Sequence, residues 1–112
     1  MESFFDINNF NFFKGDIRNE NLLNDIFTSA KAKNNPIYAV MHLAGLKAVG
    51  ESKKVPLEYW DSNVTGTIRL LRVMKKFHCY NIIFSSSATI YASNKENFFK
   101  ENSKIEPINP YG

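Results

Sequence analysis

Apolar residues along this chain change their spacing several times, and each change marks an element. Around Phe10 and Phe12 they alternate with polar neighbours, which predicts a strand over residues 10–13 running into Lys14-Gly15-Asp16. From Asn21 the period becomes helical. Leu22, Leu23, Ile26, Phe27 and Ala30 fall on one stripe, with Asn19 or Asn21 as N-cap and Asn34-Asn35-Pro36 as the stop. Proline cannot continue a helix, and it pushes its predecessor to extended geometry. Residues 37–44 are a nearly continuous apolar run, the pattern of a parallel strand covered on both faces. Pro56 suits a first helical position. Leu57, Trp60, Val64, Ile68, Leu71 and Met74 then recur at three and four, predicting an amphipathic helix of about six turns whose stripe packs in the core. Residues 81–87 read as a second buried strand ending in three hydroxyls, and residues 92–110 as polar loop. Strand, helix, strand, helix, strand within 112 residues predicts one α/β domain, a parallel sheet with crossover helices.

Composition narrows the function classes. With 44% hydrophobic and 22% charged residues the chain is globular, and no apolar run approaches the roughly 18 residues of a membrane span, so no membrane partner is expected. The net charge of +3 is mild, and Lys and Arg are spread out with only short pairs such as Lys53-Lys54 and Lys75-Lys76. Nucleic acid is therefore not an expected partner. The one cysteine, Cys79, can form neither an internal disulfide nor a metal cluster, so no metal site is expected. Residues 1–6 lack a basic region followed by an apolar core, so the chain is expected to be cytoplasmic.

In an open parallel sheet, ligands bind beyond the carboxyl ends of the strands. Gly15-Asp16-Ile17 follows the first predicted strand. His42-Leu43-Ala44-Gly45-Leu46-Lys47 closes the second, and Ser85-Ser86-Ser87-Ala88-Thr89-Ile90-Tyr91 closes the third. The small residues Ala44 and Gly45 permit close backbone approach by a flat ligand. A hydroxyl at a strand tip can hydrogen-bond a polar substrate atom without bringing charge. His42, inside an apolar strand, reads as a buried, hydrogen-bonded histidine, and His78 and Cys79 carry no motif.

Four blocks of the chain closely resemble the UDP-glucose 4-epimerases of the extended short-chain dehydrogenase/reductase family. They are the run from His42 through Leu43-Ala44-Gly45-Leu46-Lys47-Ala48-Val49-Gly50-Glu51 to Ser52, then Pro56-Leu57-Glu58-Tyr59-Trp60, then Asn63-Val64-Thr65-Gly66-Thr67, and the segment from Ser85 to Tyr91. Asn109-Pro110-Tyr111-Gly112 is similar to the start of that family's Tyr-x-x-x-Lys motif.

The resemblance implies a partial Rossmann-type, doubly wound parallel sheet, NAD as cofactor, a UDP-sugar as substrate and a homodimeric parent enzyme. It implies that Asp16 and Ile17 hold the adenine end of NAD, and that Leu43, Ala44, Gly45, Lys47 and Ser85 line the cofactor. Lys47 would also reach the substrate, Ser87 would hydrogen-bond the reacting sugar hydroxyl, Tyr111 would be the acid/base, and Asn63 would fix the backbone of the site. A free tyrosine titrates near pH 10 and needs nearby positive charge to act as a base at neutral pH. A related nucleotide-sugar dehydratase would carry an acidic pair near the serine position, where Ser87-Ala88-Thr89 offers no carboxylate. The chain also departs from the family pattern. It has no Gly-x-Gly-x-x-Gly, it ends before the motif lysine, Ser62 stands where relatives often have Asn, and Ala92 replaces a glycine. It therefore reads as residues of an internal fragment, the central part of an NAD-binding domain without its first two strands or its C-terminal substrate-binding part. The strand at residues 10–13 is expected to lack a partner, and the chain alone to fold poorly and be an inactive remnant.

Overall fold

The computed structural model describes residues 10–92 and 98–112 of the chain. Helix α1, Glu20–Ala32, begins where Asn19 accepts a hydrogen bond from the Leu22 N–H at 3.1 Å, so the N-cap is Asn19 and not Asn21. Its end is closed by a left-handed residue, Asn34 at φ 57°. The Asn34 N–H donates to Lys31 C=O and the Asn35 N–H to Ala30 C=O, the paired bonds of a Schellman cap. Pro36 follows and prevents continuation.

Strands β1 (Ala39–His42) and β2 (Asn81–Phe84) pair parallel, in register from Ala39↔Asn81 to His42↔Phe84. The Ser85 N–H donates to His42 C=O at 3.1 Å and carries the pairing one step past the last rung. Between the strands lie α2 (Val49–Ser52), α3 (Pro56–Tyr59), a π-helical segment (Trp60–Thr65) and α4 (Gly66–Lys76). This parallel pair with its helical crossover is the predicted α/β arrangement. The continuous helix read from the sequence is thus interrupted by a π stretch, where the Gly66 N–H reaches back five residues to Asp61 C=O. Helix α4 ends as α1 does. His78 sits at φ 58°, its N–H donates to Lys75 C=O, and the Cys79 N–H donates to Met74 C=O.

Phe27 of α1 meets Leu70, Val73 and Met74 of α4 and Cys79 beyond it in one buried cluster, with Ile17, Leu23, Ile37, Val40 and Phe77 packed around it. The Phe27 and Phe77 rings lie 5.4 Å apart.

Three expectations are corrected. Residues 10–13 form no strand: among the described residues they pair with neither β1 nor β2, and a strand without a partner leaves its backbone polar groups unpaired. The neighbouring Asn8 and Asn9 lie outside the described residues. Neither face of the sheet is fully covered: β1 turns one face inward, but β2, expected to be buried, is exposed at all four positions, with Ile82 37% and Phe84 58% exposed. Val40 and His42 turn toward the helices, while Met41 and Ile83 remain 67% and 59% exposed. Finally, of the stripe Leu57, Trp60, Val64, Ile68, Leu71 and Met74, only Met74 is buried, whereas Leu57 is 77% and Trp60 57% exposed. The helical run from Pro56 to Lys76 presents another face to the core, through Tyr59, Gly66, Leu70, Val73 and Met74. Among the described residues, nothing covers the remaining apolar stripe, and no helix is long and apolar enough to cross a membrane.

Candidate active site

The carboxyl ends of β1 and β2 open into a cleft of about 340 Å³. Leu43, Ala44, Gly45, Leu46 and Lys47 form one wall, Phe84, Ser85, Ser86, Ser87 and Ile90 another, and Asn63, Val64, Tyr111 and Gly112 complete it. The structure therefore brings Leu43, Ala44, Gly45, Lys47, Ser85, Ser87 and Tyr111 together. Asp16 and Ile17 do not line this space. Among the described residues, Lys47 is the one Lys or Arg side chain in the lining and no Asp or Glu side chain lies there, so the side chains of the cleft favour an anionic ligand. A larger cleft, about 820 Å³, lies at the other end of β1, between α1 and residues 10–13. It lies away from the strand ends where parallel sheets bind ligands.

Each wall is held by identifiable bonds. The Leu46 N–H donates to Asn63 Oδ1 at 2.8 Å, and Asn63 Nδ2 donates to Leu46 C=O at 2.8 Å. A Cβ on Gly45 would stand 3.1 Å from Asn63 Oδ1, so glycine here admits the amide that fixes the loop. Asn63 lies in the π-helical segment, and its own C=O accepts the Thr67 hydroxyl. His42 Nε2 lies 2.8 Å from that same hydroxyl oxygen. Because Thr67 spends its proton on Asn63, His42 must supply the proton of the second bond, which places a hydrogen on Nε2. Burial pushes the His42 pKa below its ordinary value, in keeping with a histidine that is 4% exposed. The buried, hydrogen-bonded histidine read from the sequence is thus what the structure contains, and it supports the floor of the cleft.

On the serine wall, Ser87 caps a 3-10 turn, Ala88–Ile90. Its Oγ accepts from the Thr89 N–H at 3.3 Å and lies 2.9 Å from Thr89 Oγ1. The last described segment is tied on by an antiparallel bridge between Tyr91 and Ile105, with Glu106 N–H donating to Ile90 C=O. Tyr91 stacks on Phe99 at 5.1 Å. This anchoring returns the chain so that Tyr111 meets the ends of both strands.

Asp16 and Ile17 belong to a second group, beside the long helix. Asp16 forms a fork with Arg18: Oδ2 to the guanidinium at 2.7 Å, Oδ1 to Nε at 3.0 Å and to the Arg18 N–H at 2.8 Å. These hydrogen bonds hold the Asp16 carboxyl at about 2, below its usual 3.8. Arg18 also reaches Asp61 at 2.9 Å, and the Arg69 guanidinium donates to Arg18 C=O. Ile17 lies against Gly66, where a Cβ would come within 2.8 Å of its Cγ2.

Sequence reasoning missed Arg18, Glu51 and Tyr59. Tyr59, 1% exposed, accepts a hydrogen bond from the Ala48 N–H at 3.0 Å; its hydroxyl faces Ala48 C=O at 2.9 Å and Glu51 Oε2 at 2.7 Å. Its burial, and then the Glu51 carboxylate, raise its pKa above the ordinary phenol value. A legible signal was the spacing of Tyr59 and Asn63, four apart and hence on one helical face. Nothing local marks the Arg18–Asp61 contact, which joins residues 43 positions apart.

Residues 2–112 match the family described as GDP-mannose 4,6 dehydratase. UDP-glucose 4-epimerase 1 of Oryza sativa subsp. japonica is 48% identical over 105 residues, covering 94% of this chain and 28% of that protein. UDP-glucose 4-epimerase of Yersinia pestis is 46% identical over 101 residues, covering 89% of this chain and 28% of its own length. Among solved structures, UDP-glucose 4-epimerase from Bifidobacterium longum in complex with NAD+ and UDP superposes with a TM-score of 0.77 at 48% identity, covering 88% of this chain and 28% of that one. The chain thus spans about 28% of the length of each of these relatives.

Proposed function

Since the chain belongs to the GDP-mannose 4,6 dehydratase family, we propose that residues 1–112 form the central part of an NAD-binding Rossmann domain in an isomerase that interconverts UDP-glucose and UDP-galactose. The observation that carries this reading is the gathering of Lys47, Ser87 and Tyr111 around one cleft lined, among the described residues, by a cationic side chain and no acidic side chain. The relatives just described are named as epimerases, and the absence of an acidic pair at Ser87-Ala88-Thr89 favours epimerisation over loss of water.

The residues present fit a dinucleotide and a UDP-sugar. Ala44 and Gly45 leave the strand end open to a flat group, Lys47 would offer its ammonium to phosphate or ribose oxygens, and Asp16 and Ile17, outside the cleft, would hold the adenine end. Bound NAD supplies a hydride acceptor and donor at the sugar C4. Ser87 hydrogen-bonds the sugar 4-hydroxyl, and Tyr111 takes the proton from that oxygen and later returns it. Leu43 and Ser85 line the cofactor side of the same cleft. Leu57, Trp60, Val64, Ile68 and Leu71 leave an exposed apolar stripe along one helical run, the kind of surface a homodimer covers. We place the protein in the cytoplasm and in galactose metabolism.

The test, made on a full-length protein that carries this segment because the chain spans about 28% of its relatives' length, is NAD titration by calorimetry together with conversion of UDP-galactose to UDP-glucose. Tyr111→Phe is expected to keep NAD binding and to lower turnover by about 100-fold to 10,000-fold, the usual worth of a general base. Unchanged turnover in that variant, or no NAD binding by the unmodified protein, overturns the reading.

A further inference from the structure

The loop carrying Lys47 is held like a strand whose partner is a helix. Leu46 and Ala48 stand two apart: Asn63 bonds Leu46 at both its N–H and its C=O, and the Tyr59 hydroxyl accepts from the Ala48 N–H and lies 2.9 Å from Ala48 C=O. Tyr59, the last residue of α3, and Asn63, in the π-helical segment, thus hold the backbone on either side of Lys47, which lines the cleft between them. Tyr59 also touches the other wall: its ring meets that of Tyr111 edge to face, at 6.3 Å between centroids and 74° between planes.

We propose that Tyr59 is the positioning residue that sets Lys47 and Tyr111 relative to one another, with Glu51 holding its hydroxyl. A hydroxyl has one proton. Glu51 Oε2, at 2.7 Å and charged, takes it in preference to Ala48 C=O, and this fixes the rotamer that presents the phenol oxygen to the Ala48 N–H. Lys47 gains its place through backbone, Tyr111 through its ring, and a single buried side chain serves both. The roles of Lys47 and Tyr111 rest on the function proposed above; the coupling between them does not need it.

The experiment is built on Tyr59→Phe, which keeps the ring and removes every hydrogen bond of the hydroxyl. Amide exchange at Ala48 is expected to quicken about tenfold relative to exchange at Val73 in the core, and the Tyr111 ring resonances to shift. In Glu51→Gln, which keeps an acceptor, both readouts are expected to stay close to those of the unmodified protein. In Glu51→Ala the Ala48 amide is expected to quicken while the Tyr111 resonances stay nearer their original positions. Equal acceleration at Ala48 and Val73 would mean a purely structural role and overturns the proposal, as does an unmoved Tyr111 signal in Tyr59→Phe. Neither readout requires NAD, so loss of cofactor binding in the unmodified protein would sink the proposed function while leaving this coupling to be judged separately.

Discussion

Gly66 is where the Asp16–Arg18 loop meets the long helix, and Gly66→Ala pits two effects of known size against each other. In a helix interior, alanine in place of glycine stabilises by about 1 kcal/mol through backbone entropy. Here the new methyl would stand 2.8 Å from Ile17 Cγ2 and 3.5 Å from Arg18 Cγ. An ordinary carbon contact is about 3.5–4.0 Å, so Ile17 must retreat by roughly 1 Å. The Ile17 methyl is a branch on Cβ, not the end of a flexible chain, so the backbone of the loop moves with it, and such overpacking costs about 1–3 kcal/mol. The net is a loss of about 0–2 kcal/mol. The double-mutant cycle with Ile17→Ala sharpens the sign. Once the Ile17 branch is gone, Gly66→Ala has room and is expected to stabilise by about 0.5–1 kcal/mol. Urea unfolding of the four variants measures this directly. Stabilisation by Gly66→Ala in both backgrounds would refute the close-approach argument, because propensity alone would then account for the result.

Three further outcomes follow from the hydrogen bonds and caps. Arg18→Leu removes the guanidinium fork from Asp16, so the Asp16 carboxyl is expected to return from about 2 toward 3.8, followed by NMR titration. A carboxyl lowered in the folded state contributes stability above the unfolded value and loses it as pH falls through the folded one. The acid limb of the stability curve should therefore soften between those two values, and an unchanged Asp16 titration would refute the assignment. His42 is lowered by burial from its ordinary 6.5, so the opposite charge logic applies: the unfolded chain takes up a proton first. Stability is expected in full above pH 6.5 and to decline below it; a flat profile from pH 7 to 5 would contradict a buried neutral imidazole. His78→Gly is expected to stabilise by about 0.5–1 kcal/mol, since glycine occupies a left-handed cap without the Cβ penalty, and a loss in thermal unfolding would count against the cap.

The sequence made the order of elements and the cleft legible for separate reasons. Asn19, Pro36 and Pro56 act through covalent and local geometry, so α1 and the start of the long helical run could be placed without knowing the neighbours. The cleft followed from a topological rule, because any parallel pair puts its carboxyl ends side by side, and the segments after His42 and Phe84 necessarily converge. The strand at residues 10–13 was not secure on the same footing. Alternation around Phe10 and Phe12 signals a surface suited to a sheet, but a strand exists only with a partner, and these residues pair with neither β1 nor β2. The π-helical segment was invisible for a similar reason: its bonds run i to i+5 in Trp60–Thr65, a sequence without proline or glycine to flag it.

The helical run from Pro56 to Lys76 shows where pattern reading reaches its limit. Two apolar faces share it. One holds Tyr59, Leu70, Val73 and Met74 with Gly66, and the other holds Leu57, Trp60, Val64, Ile68 and Leu71. By side-chain size the second is the stronger stripe, and a rule that sends the larger apolar surface inward selects it. The core selects the first because it must also admit Ile17 at Gly66, Phe27 against Met74 and Leu70, and a tyrosine hydroxyl that answers the backbone of Ala48. The inward face is thus fixed by what it must fit, small where another loop approaches and polar where a backbone needs a partner. A surplus of apolar surface is thus left on the opposite face of the same helix, where side-chain size alone would have predicted the core.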